Sequence, residues 1–150
     1  MDIKIIKYKQ KWLEDIFDLI LDIKVNEEKI RYLKRHDLWT IKKSFLCFYL
    51  AFNQDELVGC IGLRKIDNES SLLSRFYVKK TERRKGIGEK LYQKVIEYAR
   101  KHKFKDIYLG VDEVSKSGIG FYEKHGFKKT SEGKFISEDD DFTYLKNLEF

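Results

Sequence analysis

The sequence predicts one folded domain of mixed α+β class, and three observations carry that prediction. The chain has 150 residues, 42% of them hydrophobic and 15% aromatic, which is enough for one core and too short for two typical domains. Short apolar runs rich in aromatic and β-branched residues indicate strands, and segments with helical spacing lie between them. No proline, repeat or low-complexity tract interrupts this pattern. Strand runs combined with separate helices indicate an α+β domain over residues 1–150.

The N-terminal half is predicted to form one strand, two helices and then three antiparallel strands. Apolar residues between Trp12 and Ile23 recur at the spacing of an amphipathic helix. Asn53-Gln54-Asp55 and Asp67-Asn68-Glu69 are turn sequences between apolar runs, so they predict hairpin connections. The predicted elements are a strand at 4–8, helices at 12–23 and about 27–34, and strands at 45–52, 57–65 and 72–78.

The C-terminal half alternates between helix and strand. Ile87, Leu91, Val95 and either Tyr98 or Ala99 place an apolar stripe along one helix. The predicted elements after it are a strand at 107–111, a helix from about 115, a strand from about 127 and a last strand at 142–148.

Charge and composition narrow the class of protein. The net charge of +6 attracts polyanions, but it is spread over 31 basic and 25 acidic residues, so a nucleic-acid partner is not expected. The N-terminus MDIKIIKYKQK lacks the apolar region of a secretory signal, and the apolar run 45–52 is too short to cross a membrane. We therefore expect a cytoplasmic protein without membrane contact. Cys47 and Cys60 fall within predicted strands without metal-ligand spacing, so we expect core thiols and no metal site.

The segment 78–91, VKKTERRKGIGEKL, is the most informative part of the chain. A strand end leads through a basic turn into a strongly periodic helix. The first N–H groups of a helix lack intrahelical partners, and the helix dipole favours an anion there. Gly86 and Gly88 have no Cβ, which allows a bulky phosphate to approach the backbone. Six basic residues against two acidic ones add positive charge, so this segment predicts a phosphate-binding loop.

Two common phosphate motifs do not match this loop. A P-loop needs Gly-Lys-Ser/Thr, and Gly88-Glu89-Lys90 does not supply it. A dinucleotide fold needs a third small residue where Leu91 stands. The remaining pattern, Arg-x-x-Gly-x-Gly over 83–88, resembles the acyl-CoA loop of the GCN5-related N-acetyltransferase (GNAT) superfamily. The segment 115–127, SKSGIGFYEKHGF, resembles that family's second signature, and the two motifs together cover about the C-terminal half of the chain.

The resemblance implies a specific fold. The GNAT fold has a central, mostly antiparallel twisted sheet flanked by helices. Its parallel strands 4 and 5 splay apart and leave a wedge for the cofactor. In this chain those strands are the ones that end near Val78 and Val111.

The resemblance also implies acetyl-CoA as the acyl donor and assigns residues to it. The pyrophosphate is held mostly by backbone N–H groups, and the main chain of strand 4 pairs with pantetheine. Ser115 stands where the family usually has an asparagine, and Arg84 where it usually has a glycine, which implies that Arg84 either needs no positive φ or is strained. The implied cofactor-binding residues are Phe76, Tyr77, Val78, Arg83, Arg84, Lys85, Gly86, Ile87, Gly88, Glu89, Ser115 and Tyr122.

Two catalytic groups are implied. The N–H of Phe76 polarises the acetyl carbonyl, and the phenol of Tyr122 donates a proton to the departing thiolate. A general base is not indicated, because Leu72 stands where some members carry a glutamate. Glu69, Asp112, Glu113 and Ser74 lie near strand ends and are alternatives, or the amine arrives unprotonated.

The predicted function is direct acetyl transfer to a primary amine within a ternary complex. The acceptor segments, about 27–43 and 131–141, are mixed in charge and compatible with small amines, amino acids, aminoglycosides, polyamines or protein amines. The resemblance also implies pairing into a homodimer through the last strands. Two other readings are a CoA-binding or regulatory module without catalysis and, with less support, a basic nucleic-acid-binding protein.

Overall fold

The computed structural model describes residues 2–23, 36–111, 118–131 and 142–148. The helix predicted at about 27–34 and most of the predicted acceptor segments lie outside these residues. The chain divides into two compact units, the first formed by Met1–Arg64 with Ser74–Tyr98 and the second by Lys65–Leu73 with Ala99–Phe150.

The described elements follow the predicted order, with two additional short helices before β2. The strands are β1 (Ile3–Lys7), β2 (Cys47–Asn53), β3 (Glu56–Lys65), β4 (Ser70–Val78), β5 (Asp106–Val111), β6 (Lys128–Thr130) and β7 (Phe142–Asn147). The helices are α1 (Leu13–Ile23), α2 (His36–Trp39), α3 (Ile41–Ser44), α4 (Ile87–Lys101) and α5 (Ile119–Lys124), with 3-10 turns at Gln10–Trp12 and Lys80–Glu82.

The strands are ordered β1-β2-β3-β4-β5-β7-β6 in a seven-stranded sheet. The pairs β1–β2, β2–β3, β5–β7 and β6–β7 are antiparallel. The pair β4–β5 is parallel, and its register places Ser70–Leu72 opposite Asp106–Tyr108, the first three residues of each strand. This arrangement confirms the mixed α/β fold with a mostly antiparallel sheet and a parallel β4–β5 pair.

In the first unit, α1 covers one face of the strands. Its apolar stripe, including Ile16 and Ile20, is buried in a cluster with residues of α2, α3, β2 and β3. Trp12 adds an aromatic contact with Phe52 at 4.7 Å between ring centroids. Glu14 and Asp15 in the first turn complement the positive end of the helix dipole. Burial of the stripe, rather than helix propensity alone, therefore holds α1 in place.

Helix α4 buries the stripe that its periodicity predicts, including Ile87, Leu91 and Val95. β3 approaches this helix closely, because a Cβ at Gly59 would lie 3.0 Å from Leu91 Cδ1 and 3.1 Å from the Tyr77 carbonyl oxygen. The buried Ile87 side chain fixes the first helical residue, so the start of α4 has a defined position beneath the loop that precedes it.

In the second unit, a polar turn leads into β4. The Asp67 carboxylate accepts hydrogen bonds from the backbone N–H groups of Glu69 (2.9 Å) and Ser70 (2.8 Å), as expected for an aspartate turn. The buried Ser71 hydroxyl donates to the Asp106 carbonyl at 3.1 Å. These bonds set the start of β4 against β5.

Both cysteines lie in strands, as predicted. Cys60 in β3 is fully buried, and Cys47 in β2 is half-buried. Among the described residues, no helix is long and apolar enough to cross a membrane.

Candidate functional site

Strand β4 is irregular one residue before Phe76. Arg75 has φ +55°, a left-handed conformation that is strained for a residue with a Cβ. Beyond it, the Lys79 N–H donates to the Val58 carbonyl at 2.8 Å, and the Tyr77 carbonyl also faces β3. Successive residues of a strand direct their main-chain groups to opposite edges. Phe76 and Val78 therefore direct theirs to the edge of β4 away from β3.

The loop between β4 and α4 contains two left-handed residues, Arg84 at φ +65° and Gly86 at φ +80°. The Lys90 N–H donates to the Gly86 carbonyl at 3.1 Å, so helical hydrogen bonding begins at Gly86. The N–H groups of the first turn, on Ile87, Gly88 and Glu89, are the donors that an α-helix leaves without intrahelical acceptors. They form the anion-favouring end of the helix dipole.

The two loop glycines leave room at this helix start. A Cβ at Gly86 would meet no atom within 4 Å, and a Cβ at Gly88 would reach only ordinary contact with the Phe76 ring at 3.4 Å. Gly86 is thus open on the side that a side chain would occupy, and a Cβ at Gly88 would contact the Phe76 ring without a clash. A phosphate group can approach the backbone there, so the residues present fit a pyrophosphate.

The sequence left open whether Arg84 has a positive φ, and the structure shows that it does. The residue that replaces the usual family glycine adopts a positive φ, so the chain accepts backbone strain at this position. The neighbouring Arg83 has a different role, because its Nε donates to the Val78 carbonyl at 3.1 Å. Arg83 thereby ties the loop to the end of β4.

The positive charge of the loop is partly neutralised by ion pairs. Lys79 Nζ lies 2.5 Å from Glu56 Oε1, and Lys85 Nζ lies 2.7 Å from Glu82 Oε2. The hydrogen bond from Lys85 lowers the pKa of Glu82, and the Asn53 amide contributes a second hydrogen bond. Local carboxylates therefore balance two of the lysines, which weakens the case for a polyanion held by side-chain charge alone.

Three of the predicted cofactor residues, Tyr77 in β4 and Ile87 and Glu89 at the start of α4, have side chains with little to offer a phosphate, so their main chain is the part that suits one. The Ile87 side chain is buried beneath the helix start, and the Tyr77 ring packs against the core under α1. Glu89 carries a negative charge and accepts a hydrogen bond from Gln93 Nε2 at 3.0 Å. The first unit thus places the main chain of β4, the loop and the start of α4 in one region.

Tyr122 belongs to the second unit, where α5 carries it. Its ring lies 5.9 Å from the rings of Phe121 and Phe127, and its carbonyl accepts the Phe127 N–H at 3.0 Å. A Cβ at Gly118 would lie 3.2 Å from the Tyr122 ring, so the glycine makes space for it. Burial raises the pKa of the Tyr122 phenol, which therefore stays protonated at neutral pH.

The candidates for a general base are not strengthened by their surroundings. Glu69 forms an exposed ion pair with Lys105 at 3.2 Å. Leu72, at the family's glutamate position, is half-buried in β4. Asp112, Glu113 and the predicted cofactor residue Ser115 lie outside the described residues.

The first unit also contains a cavity of about 710 Å³ whose charged lining is mostly acidic, in contrast to the basic loop before α4. Its lining includes Asp15, Asp18, Asp55 and Glu56, with Lys79 at one side. Carboxylates repel phosphate, so this cavity does not compete with the loop as a phosphate site.

Comparisons with known proteins agree with this geometry. The model of the acetyltransferase (GNAT) family matches residues 13–127. Human N-acetyltransferase 8 is 30% identical over 109 residues, which are 66% of this chain and 48% of that protein. The chain thus spans about half the length of the curated relatives it matches.

Solved structures resemble nearly the whole chain. The GNAT-family acetyltransferase from Staphylococcus aureus Mu50 is 33% identical with a TM-score of 0.89, covering 99% of this chain and 100% of that one. The PaiA N-acetyltransferase from Thermoplasma acidophilum, crystallised in complex with coenzyme A, is 25% identical with a TM-score of 0.80, covering 99% and 100%. The fold, the loop and the family match lead to one conclusion: this chain belongs to the acetyltransferase (GNAT) family.

Proposed function

We propose that this chain is an acetyl-CoA-dependent N-acetyltransferase that transfers the acetyl group directly to a primary amine within a ternary complex. Residues 1–150 are proposed to act as a single acetyltransferase domain. The acceptor, small molecule or protein, as well as the cytoplasmic location and the homodimer, stay predictions.

The observation that carries the proposal is the loop at residues 83–89. An open, glycine-lined helix start follows a strand that is irregular at Arg75 and directs the main chain of Phe76 to its outer edge. The coenzyme A complex of the Thermoplasma relative supports this ligand. The loop would hold the pyrophosphate through the N–H groups of Ile87, Gly88 and Glu89.

Acetyl transfer needs stabilisation of the carbonyl oxygen and protonation of the leaving thiolate, and each is assigned to a group of the site. Acetyl-CoA supplies a thioester, so a C–N bond to the amine forms while the C–S bond breaks. The Phe76 N–H is proposed to stabilise the negative charge that develops on the carbonyl oxygen. The Tyr122 phenol is proposed to donate a proton to the thiolate; the proton lost by the amine passes to solvent water, and the resulting phenolate regains a proton from solvent. Both cysteines have pKa values raised to about 12 by burial, which argues against a covalent acyl-enzyme.

Thermal unfolding with acetyl-CoA tests the binding half of this proposal. A ligand at 100 times its Kd adds about 2.7 kcal/mol of stability, so we expect Tm to rise on the order of 5 to 10 °C. S-acetyl-N-acetylcysteamine, which has the thioester but no pyrophosphate, is the matched control and should leave Tm nearly unchanged. No rise with millimolar acetyl-CoA, or an equal rise with the control, would count against the loop as the cofactor site.

A further inference from the structure

The fully buried thiol of Cys60 lies against the irregular part of β4. Its Sγ donates a hydrogen bond to the Arg75 carbonyl at 3.2 Å. The backbone N–H of Tyr77 is hydrogen-bonded to the same sulfur. One side chain of β3 therefore contacts the main chain on both sides of Phe76.

These contacts are made at the strained part of β4, where Arg75 has a left-handed conformation. A left-handed residue inside a strand disturbs the regular ladder with the neighbouring strand. Such a conformation persists only where its surroundings stabilise it. A thiol is a weak donor and a weak acceptor, and it can satisfy a carbonyl and an N–H at once. Cys60 supplies both functions to the Arg75–Tyr77 segment.

We infer that Cys60 is a positioning residue for acetyl transfer: it holds the Arg75–Tyr77 irregularity and so aims the Phe76 N–H at the acetyl carbonyl. This inference rests on the proposed function. A small misalignment of an oxyanion donor lowers the rate of the chemical step more than it weakens binding of the donor substrate. Burial raises the pKa of the Cys60 thiol to about 12, so the S–H that donates to Arg75 is retained at physiological pH.

Two substitutions separate this role from simple core packing. Cys60→Val keeps the position apolar, with one more heavy atom in the side chain, but removes both hydrogen bonds. Cys60→Ser keeps a donor and an acceptor but is smaller and more polar. Packing alone predicts that valine preserves the protein better than serine, whereas positioning predicts the reverse order for kcat.

We expect Cys60→Val to lower kcat at least 10-fold with the acetyl-CoA Kd within threefold of wild type. Cys60→Ser should stay within about threefold of wild-type kcat even though its Tm falls further. The same substitutions at Cys47 in β2 are the control and should not separate kcat from Tm. A kcat that follows Tm across the variants, with Cys60→Val at least as active as Cys60→Ser, would overturn the inference.

Amide hydrogen exchange tests the role of Cys60 independently of whether the protein transfers an acetyl group. The Tyr77 N–H should be protected in wild type and in Cys60→Ser, and should exchange at least 10-fold faster in Cys60→Val. If wild-type protein transfers no acetyl group, the proposed function is wrong, and the exchange data still decide whether Cys60 holds the strand. Unchanged protection of Tyr77 in Cys60→Val would contradict the role of the thiol in either case.

Discussion

Replacement of Gly88 by glutamate is expected to raise the Kd for acetyl-CoA at least about 100-fold while the free protein stays folded. A carboxylate about 5 Å from a phosphate charge costs about 3 kcal/mol at an effective dielectric constant of 20, and each 1.4 kcal/mol is a factor of ten in Kd. The glutamate side chain would also add bulk at the start of the helix, where glycine has no side chain. Isothermal titration calorimetry with acetyl-CoA measures the change.

The fold should tolerate this substitution. A Cβ at Gly88 makes only ordinary contacts, with the Phe76 ring at 3.4 Å and Val78 Cγ2 at 3.8 Å. A non-glycine residue favours the helix, and a negative charge in the first turn complements its dipole. The Tm of free Gly88→Glu should therefore equal or exceed that of wild type. Gly88→Gln is the matched control for size without charge, and its Kd should lie between the two. A Gly88→Glu protein that binds acetyl-CoA within threefold of wild type would show that the phosphates lie elsewhere.

Replacement of Tyr122 by phenylalanine is expected to lower kcat about 100-fold and to leave the Kd for acetyl-CoA within threefold. The change removes only the hydroxyl, and loss of a positioned proton donor typically costs this much in rate. The ring would keep its contacts with Phe121 and Phe127. Tyr144→Phe, another buried tyrosine of the second unit, is the control and should keep wild-type kcat. An unaltered kcat in Tyr122→Phe would exclude the phenol as the proton donor. A wild-type protein that binds acetyl-CoA but shows no turnover with any amine would instead favour the catalytically inactive CoA-binding module.

The same tyrosine predicts a dependence of stability on pH. Burial raises the pKa of the Tyr122 phenol above its ordinary value of about 10, so the folded state favours the protonated form. A group with a raised pKa contributes its full stabilisation below the unfolded pKa, and this contribution is lost as the pH rises above it. Between about pH 9 and pH 11, urea unfolding should show a smaller loss of stability for Tyr122→Phe than for wild type. Equal losses would indicate that the phenol is not desolvated.

Elements with strong local signals could be predicted from the sequence alone. The apolar stripe of α4 and the turn residues between β2 and β3 specify their structures because each rests on neighbours within a few residues. The structure places these elements within one or two residues of the prediction, with β2 at Cys47–Asn53 and β3 at Glu56–Lys65. The parallel pairing of β4 with β5 came from the family resemblance, since periodicity does not report which strands are neighbours.

Short helices and tertiary contacts could not be predicted in this way. α2 and α3 have four residues each, too few for a periodic pattern, and their burial depends on packing around Leu38 and Ile41. The left-handed Arg75 carries no residue signal, because arginine does not favour a positive φ. The contact between Cys60 and Arg75 joins residues 15 positions apart, so only the packed strands bring them together.

The loop before α4 has some features that the sequence predicts and others that only the structure shows. Its glycines and its position before a periodic helix predicted the anion site from the sequence. The pairing of Lys79 with Glu56 and the positive φ of Arg84 depend on the folded chain and appear only in the structure. The structure likewise places Lys79 in an ion pair with Glu56 and Lys85 in an ion pair with Glu82, which the basic character of the loop does not predict.

Transfer of an acetyl group from acetyl-CoA to a primary amine can be followed directly. The most direct measurement follows release of the coenzyme A thiol with a panel of primary amines, amino acids, polyamines and peptides, and identifies the acylated amine by mass spectrometry. We expect amine-dependent release of the thiol, matched mole for mole by acetylated amine and strongly reduced in Gly88→Glu and Tyr122→Phe. We also expect the double-reciprocal plots to intersect. Thiol release that no amine accelerates would contradict the proposed transfer, and parallel plots would contradict the ternary complex.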